Sequence, residues 1–518
     1  GGTNWTQTIG TDANPSPIGS SIVRLAKTDC YTNLSVSDSK VQIGTAADLV
    51  QFAKEINVGN TATDAELTAD ITLSSAWTTP IGNYSGTFDG QGHAIKGFNL
   101  TTANNDNKQG LFGTVNGATI KDFSIAGSIT VLSASVGVGV VAWAEASTIQ
   151  NIHSSLTITA TDGAASGHVG GVVGSLRESG STGSTIDRCS FTGEMEGGSN
   201  KIDCFGCVVG YMKDNSTISN CANYGTLTYK NSDGKGNAGG ILGYLNTYRS
   251  KVTKCLNVGT IEYSVSKNGG AIVGVQNDWG YNYNDDGKNA VTDCYWLEGS
   301  AKCATGKNDN GKNPSVTVAQ LASGEIACKL GSAWYQTLGT DSYPTLDSSK
   351  PSVYEIAVSD AEYASFVPEV NVAAIPTGVT AYVGQINGDY LHLEPVTELP
   401  KDNAFILHAA AGSYYYNNTD AERTLGQDND LKFYTKATAS DGTQYCLAKK
   451  DSGVGFYIVD KGVNIPARKA YLQTTLGVKA FYGFDEDATG INDLKDLKDL
   501  KDLKDFKHKK SVRMHTFL

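Results

Sequence analysis

Between residues 110 and 300 the apolar positions recur in short runs, and no helical spacing appears. A segment of small and apolar residues, such as Gly170-Gly171-Val172-Val173-Gly174, is followed by an apolar-polar segment ending in cysteine, Thr185-Ile186-Asp187-Arg188-Cys189. The pair returns as Phe205-Gly206-Cys207-Val208-Val209-Gly210 with Thr217-Ile218-Ser219-Asn220-Cys221, then as Gly239-Gly240-Ile241-Leu242-Gly243 with Val252-Thr253-Lys254-Cys255. The last copy joins Gly269-Gly270-Ala271-Ile272-Val273-Gly274 to Val291-Thr292-Asp293-Cys294. Looser copies begin at Leu111 and Val140. The glycine at 174, 210, 243 and 274 gives steps of 36, 33 and 31, a period that marks a solenoid or propeller. Each copy holds three β-type runs rather than a blade's four. The expectation is therefore a right-handed parallel β-helix of about six three-strand coils.

Stacking places each repeat position over itself. One predicted ladder holds Ile120, Ile149, Ile186, Ile218, Val252 and Val291. A second, three residues on, holds Phe123, Ile152, Cys189, Cys221, Cys255 and Cys294. The repeated glycines mark corners or places where a side chain would collide with a neighbouring coil. The Cys ladder reads as buried reduced thiols packed as small hydrophobes, with a disulfide or metal role as the alternative. Cys204 and Cys207 form a lone CxxC without a second pair at zinc spacing, so they are expected to be structural.

Open solenoid ends require covers. Thr45 with Asp48 resembles a capping box opening a short helix with Leu49, Phe52, Ala53 and Ile56 on one face. Residues 85–95 (SGTFDGQGHAI) read as a glycine-rich turn into the first coil, although His93 near Asp89 invites a functional reading. Thr317 opens a second short helical stretch. Beyond Val353 the period is lost, and alternating runs such as Val379–Val383, Tyr390–Leu393 and Phe405–His408 predict an antiparallel β-sandwich. The expected order is an N-terminal segment 1–40, a cap with first coils 41–110, the β-helix 111–300, a C-terminal cap 301–350, the sandwich 351–490 and a Leu-Lys-Asp tail 491–518. Trp334–Pro344 resembles Trp5–Pro15, so a further module is expected upstream of Gly1.

Composition adds constraints. Gly is abundant at 59, and the net charge of −12 argues against nucleic acid and anionic membranes as partners. It also disfavours a strongly acidic polysaccharide. No run of 18 apolar residues occurs, so no membrane span is expected. No GxSxG, HExxH, P-loop or dinucleotide motif occurs.

The pattern at 239–261, Gly-Gly-Ile-Leu-Gly through Val-Thr-Lys-Cys-Leu-Asn-Val-Gly-Thr-Ile, resembles the GLUG-motif repeat of bacterial surface proteins. The C-terminal region ending in Thr489-Gly490-Ile491 resembles modules of exported Bacteroidetes proteins. These resemblances imply a cell-surface or secreted location, adhesin-like roles and no defined reaction.

Specificity is expected where the repeat is broken. In the last coil the insertion 277–287 carries Trp279, Tyr281 and Tyr283, whose rings can stack on a sugar or side chain, with Asn282 and Asp285 as hydrogen-bonding partners. These five are the candidate ligand-binding residues, for a glycan or a surface protein. Asn282, Asn284 and Asp286, with Gly287 and Asp293, also fall near Ca²⁺-loop spacing, but the first ligand is not Asp and the twelfth not Glu. The enzymatic alternative, a polysaccharide lyase or glycosidase, would draw on Asp122, Asp187 and Asp293, read as one repeat position otherwise filled by Asn151, Asn220 and Lys254. Solvated strand residues are the plainer account. Pure scaffolding is the third alternative.

Overall fold

A computed structural model describes residues 5–6, 16–17, 34–102, 108–132, 137–161, 167–197, 204–229, 236–246, 249–263, 268–277, 290–306, 311–474 and 479–485. The chain divides into two units, 1–319 with 329–334, and 320–328 with 335–518.

The first unit is a parallel β-solenoid. Each coil opens with a short strand, from Lys108–Gln109 through His168–Gly170 and Cys204–Gly206 to Gly269–Gly270; six of these form the first face. Two residues later comes a five-residue strand, from Phe112–Asn116 through Val141–Glu145, Val173–Arg177, Val209–Lys213 and Leu242–Asn246 to Val273–Asn277; six of these form the second face. The third face begins as the 13-residue strands Thr119–Val131 and Thr148–Ala160 and breaks into shorter pieces in later coils. The first ladder is in register as expected: Ile120 pairs with Ile149, then Ile186, Ile218, Val252 and Val291. Every member is buried.

Cys189, Cys221, Cys255 and Cys294 are buried and free, with each thiol donating to the carbonyl two residues before it. Burial pushes the thiols of Cys207, Cys221 and Cys294 well above the ordinary thiol range. Cys207 is likewise free and buried, and Cys204 is buried with its sulfur accepting from Asn237 Nδ2 (3.7 Å).

Glycine is required where the first and second faces meet. A Cβ on Gly206 would lie 1.8 Å from the Val209 carbonyl oxygen. At the next corner a serine ladder closes the turn. Ser147 Oγ accepts from Ala118 N (3.1 Å) and donates to the Glu145 carbonyl (2.7 Å); Ser184 repeats this with Ser147 N and the Arg177 carbonyl.

The third face bends at Asp122, Asn151, Arg188, Asn220, Lys254 and Asp293, all with φ between 50° and 60°. Asn and Asp tolerate this left-handed conformation best, which explains their recurrence. The bend corrects the expected carboxylate alignment. Asp187 pairs with Gln150 and Ser219, one residue before the bend, and Arg188 is the true counterpart of Asp122.

At the N-terminal side, α1 (Ala46–Asn57) has the anticipated capping box: Thr45 Oγ1 accepts from Asp48 N (3.2 Å) and Asp48 Oδ2 from Thr45 N (2.9 Å). Its buried face includes Leu49, Phe52, Ala53 and Ile56. Thr87–Asp89 then pairs with Thr119–Lys121, so coiling begins before residue 110. The turn after it holds Gln91 and Gly92 at φ 51° and 79°. Helices α2 (Val318–Ala322) and α3 (Glu325–Leu330) follow the last coil, as expected after Thr317.

The second unit is built on one eight-stranded sheet in the order 363–366, 405–408, 380–387, 390–396, 481–484, 453–458, 444–450, 471–473. Neighbours are antiparallel except Tyr390–Val396 with Phe481–Phe484. Both sheet faces are buried. Ala381, Val383, Phe405 and Leu407 pack with Ile356, Val358 and Tyr416 of the two-stranded ribbon Val353–Val358/Gly412–Asn417, which supplies the second layer. Tyr382, Leu391, Leu393, Ile406, Tyr445 and Phe456 form the core on the other side.

Candidate ligand-binding face

The expected ligand residues Trp279, Tyr281, Asn282, Tyr283 and Asp285, and the Ca²⁺ candidates Asn284 and Asp286, lie outside the described residues. Asp293, the twelfth-position candidate, sits at the left-handed bend of the third face. Among the described residues no group of three potential metal ligands occurs.

His93 and Asp89 are not partners. His93 Nδ1 lies 3.4 Å from Asp70 Oδ1, while Asp89 Oδ2 pairs with Lys121 Nζ at 2.5 Å. The candidate carboxylates of the third face are engaged within the fold. Asp187 Oδ1 accepts from Ser219 Oγ and Asn220 Nδ2 (both 2.7 Å), and its Oδ2 pairs with Arg188 (3.0 Å). Asp122 accepts from Asn151 Nδ2 (2.8 Å) and pairs with Lys121 (2.9 Å). Burial opposes ionisation of Asp122, but the Asn151 amide and the Lys121 ammonium outweigh it and hold the carboxyl below its ordinary range.

These bonds form a hydrogen-bond relay. Asn151 Nδ2 donates to the Asp122 carboxylate, so its Oδ1 must accept from His153 Nε2–H at 3.0 Å. His153 Nδ1 is then the acceptor for Ser190 Oγ at 2.8 Å. A hydroxyl donating to an imidazole nitrogen is the geometry of an activated serine. Ser190, however, is only 5% exposed, which leaves the hydroxyl almost no surface on which to meet a substrate. The relay ties three adjacent coils together.

The second face carries the feature that the sequence did not disclose. Trp143, Ser175, Tyr211 and Tyr244 occupy one register position on successive coils. Lys108 Nζ lies 4.4 Å from the Trp143 ring centroid, and the Arg177 guanidinium 4.1 Å from it. The same guanidinium is 4.8 Å from the Tyr211 ring. His168 stacks on Tyr211 at 4.2 Å and 11°, and Tyr211 on Tyr244 at 5.5 Å and 3°. Cations and rings thus form one column along the solenoid axis. Its edges are fixed by Trp143 Nε1 donating to Glu145 Oε1 (2.7 Å), Arg177 Nε to Ser175 Oγ (2.9 Å) and Asn246 Nδ2 to Tyr211 Oη (3.2 Å). Burial lowers the pKa of Lys108 and of Arg177, against the attraction of Glu145 for both. Burial, helped by the Arg177 charge, pushes His168 down to about 3, so its ring is neutral at physiological pH.

The second unit has its own open cavity of ≈ 350 Å³, lined by residues including Asp402, Asn403, Asn429, Lys432, Phe433 and Tyr471. Asp402 is held by Arg468 at 2.9 Å.

No protein-family model matches the chain, and no curated protein matches it. Two solved structures are similar to it in part. A "putative immunoglobulin A1 protease" from Bacteroides ovatus is 16% identical with a TM-score of 0.38, over 61% of this chain and 94% of that one. An IgA1 protease is 17% identical with a TM-score of 0.34, over 52% of this chain and 22% of that one. No helix among the described residues is long and apolar enough to cross a membrane.

Proposed function

We propose that the chain is an adhesin-like secreted or cell-surface protein whose solenoid binds an extended glycan along its second face. The observation that carries this reading is the column Lys108–Trp143–Arg177–Tyr211–Tyr244. It joins five successive coils, with Trp143, Arg177, Tyr211 and Tyr244 on the second face and Lys108 reaching them from the first. Coils rise by about 4.8 Å, the spacing of adjacent strands, so an extended polymer meets one side chain of the column at each step. The GLUG-like repeat supports a surface location. The loop with Trp279 follows strand Val273–Asn277 of this same face, which keeps it as a second contact in the proposal.

The test is a glycan array probed with the full chain, followed by kinetic binding measurements on the hits. Binding without turnover, weakened by Tyr244→Ala and by Trp143→Ala, is the expected result. Release of cleaved product would replace this reading with an enzymatic one. Retention of full affinity by both variants would remove the column from it.

A further inference from the structure

Building on the glycan-binding reading, we propose that Arg177 and Lys108 form a receptor for the carboxylate of an acidic sugar, so that the column selects glycans bearing isolated uronic or sialic acid residues. The ring faces argue first. Lys108 and Arg177 both lie over the Trp143 ring, and Tyr211 is packed by Arg177, His168 and Tyr244. A pyranose has no free Trp143 or Tyr211 face on which to stack. What the column offers outward is its polar edge.

That edge is cationic and unmatched. Arg177 bonds through Nε to Ser175. Among the described residues its two terminal nitrogens have no hydrogen-bond acceptor and no carboxylate, and neither does the Lys108 ammonium. Lys54, Lys251 and Lys254 likewise have no carboxylate partner among the described residues, but here two such cations flank one ring, in a chain with 53 acidic against 41 basic residues. Elsewhere on the solenoid Lys40, Lys96, Lys121, Arg188 and Lys213 each pair with a carboxylate. Two aromatic rings and a serine hold the Arg177 plane, so its N–H fork is preorganised for two parallel bonds to one carboxylate. The Lys108 ammonium, on the other side of Trp143, adds a second attraction.

The charge sum sets the kind of acid. Glu145 lies in the same column, engaged by Trp143 Nε1 and Asn116 Nδ2. Asp214 also attracts Arg177 but is paired with Lys213, so two cations and Glu145 leave room for a single carboxylate and repel a dense polyanion, in keeping with the net charge of −12. A glycan fits better than a peptide. The backbone groups of this face are paired coil to coil, so a peptide backbone finds no partners there. Sugar hydroxyls can use Thr114 and Asn246, both partly exposed on this face.

Matched glycan pairs decide the matter: sialylated against desialylated oligosaccharides, and uronate-terminated oligosaccharides against their methyl esters. Each is flowed over the immobilised full chain at low and physiological salt. The acidic member of at least one pair should bind about tenfold more tightly. Arg177→Gln should bring the two members together, and Arg177→Lys should recover only part of the preference. Lys108→Gln serves as the second probe if loss of Arg177 disturbs the fold, which circular dichroism reports. Equal binding of acidic and neutral members, or a preference indifferent to both substitutions, overturns the inference and leaves the glycan reading standing. No binding by any glycan overturns both. Arg177-dependent capture of an acidic peptide in preference to the glycans overturns the ligand assignment.

Discussion

Gly206→Ala is expected to destabilise the solenoid more than a left-handed glycine substitution does, although it adds only one methyl at a residue without positive φ. Its Cβ would stand 1.8 Å from the Val209 carbonyl oxygen and 2.7 Å from Gly243 N, both backbone atoms that no rotamer change can move. Cβ contacts below 3.0 Å are essentially never found, so the corner between Gly206 and Val209 must open by at least the 1.2 Å difference. The coil-to-coil bonds Gly171 N to Gly206 O (3.2 Å) and Cys207 N to Gly239 O (3.1 Å) lie at this corner, and its distortion is expected to break them. Two lost hydrogen bonds at about 1 kcal/mol each, with an overpacking cost of about 1–3 kcal/mol, give about 3–5 kcal/mol. The control is Gly117→Ala, at φ 71° with nothing within 4 Å of its Cβ; its cost is the left-handed backbone alone, about 1–2 kcal/mol. Urea and thermal unfolding followed by circular dichroism should place Gly206→Ala below the control by several degrees. An equal or smaller loss for Gly206→Ala would refute the close approach.

Two further outcomes follow from buried groups. The ladder thiols Cys189, Cys221, Cys255 and Cys294 should resist iodoacetamide at pH 8 until the chain is unfolded, and so should Cys328 and Cys446, whose burial pushes their pKa to about 11; mass spectrometry that finds rapid native labelling of the ladder would contradict its sealed interior. His168 has a folded pKa of about 3 against a free value of 6.5. Between those values the unfolded chain binds a proton that the folded chain does not, so solenoid stability should be full above about pH 6.5 and fall as pH drops towards 3, by on the order of a few kcal/mol. His168→Gln should flatten that part of the profile, and an unchanged slope would remove His168 as its source.

What was legible in the sequence was whatever repeats by type. Ile120 to Val291 and the cysteines below them are alike in every coil because they share one environment, and periodicity exposes that. The polar bend was misaligned by one residue at Asp187 because the sequence shows residue types, whereas the position is defined by a left-handed φ that Arg188 and Lys254 also adopt. The column was hidden for a related reason. Trp143, Arg177 and Tyr211 share no type, and Lys108 and His168 reach it from another face, so only the stacked coils bring them together. The serine ladder at 147 and 184, continued where Ser184 N donates to Ser216 Oγ (3.3 Å), was equally invisible, since Ser is common in turns and its burial here depends on a corner geometry that the pattern does not encode.

The column's spacing belongs to the backbone rather than to the side chains that make it. Hydrogen bonds between coils act as a ruler, and substitutions on the outer face change the marks without moving the divisions. Selection can therefore rewrite what is recognised at each rung while the pitch stays constant. Insertion or loss of one whole coil, by contrast, would change the length of the inscription in a single event without unmaking the fold that carries it.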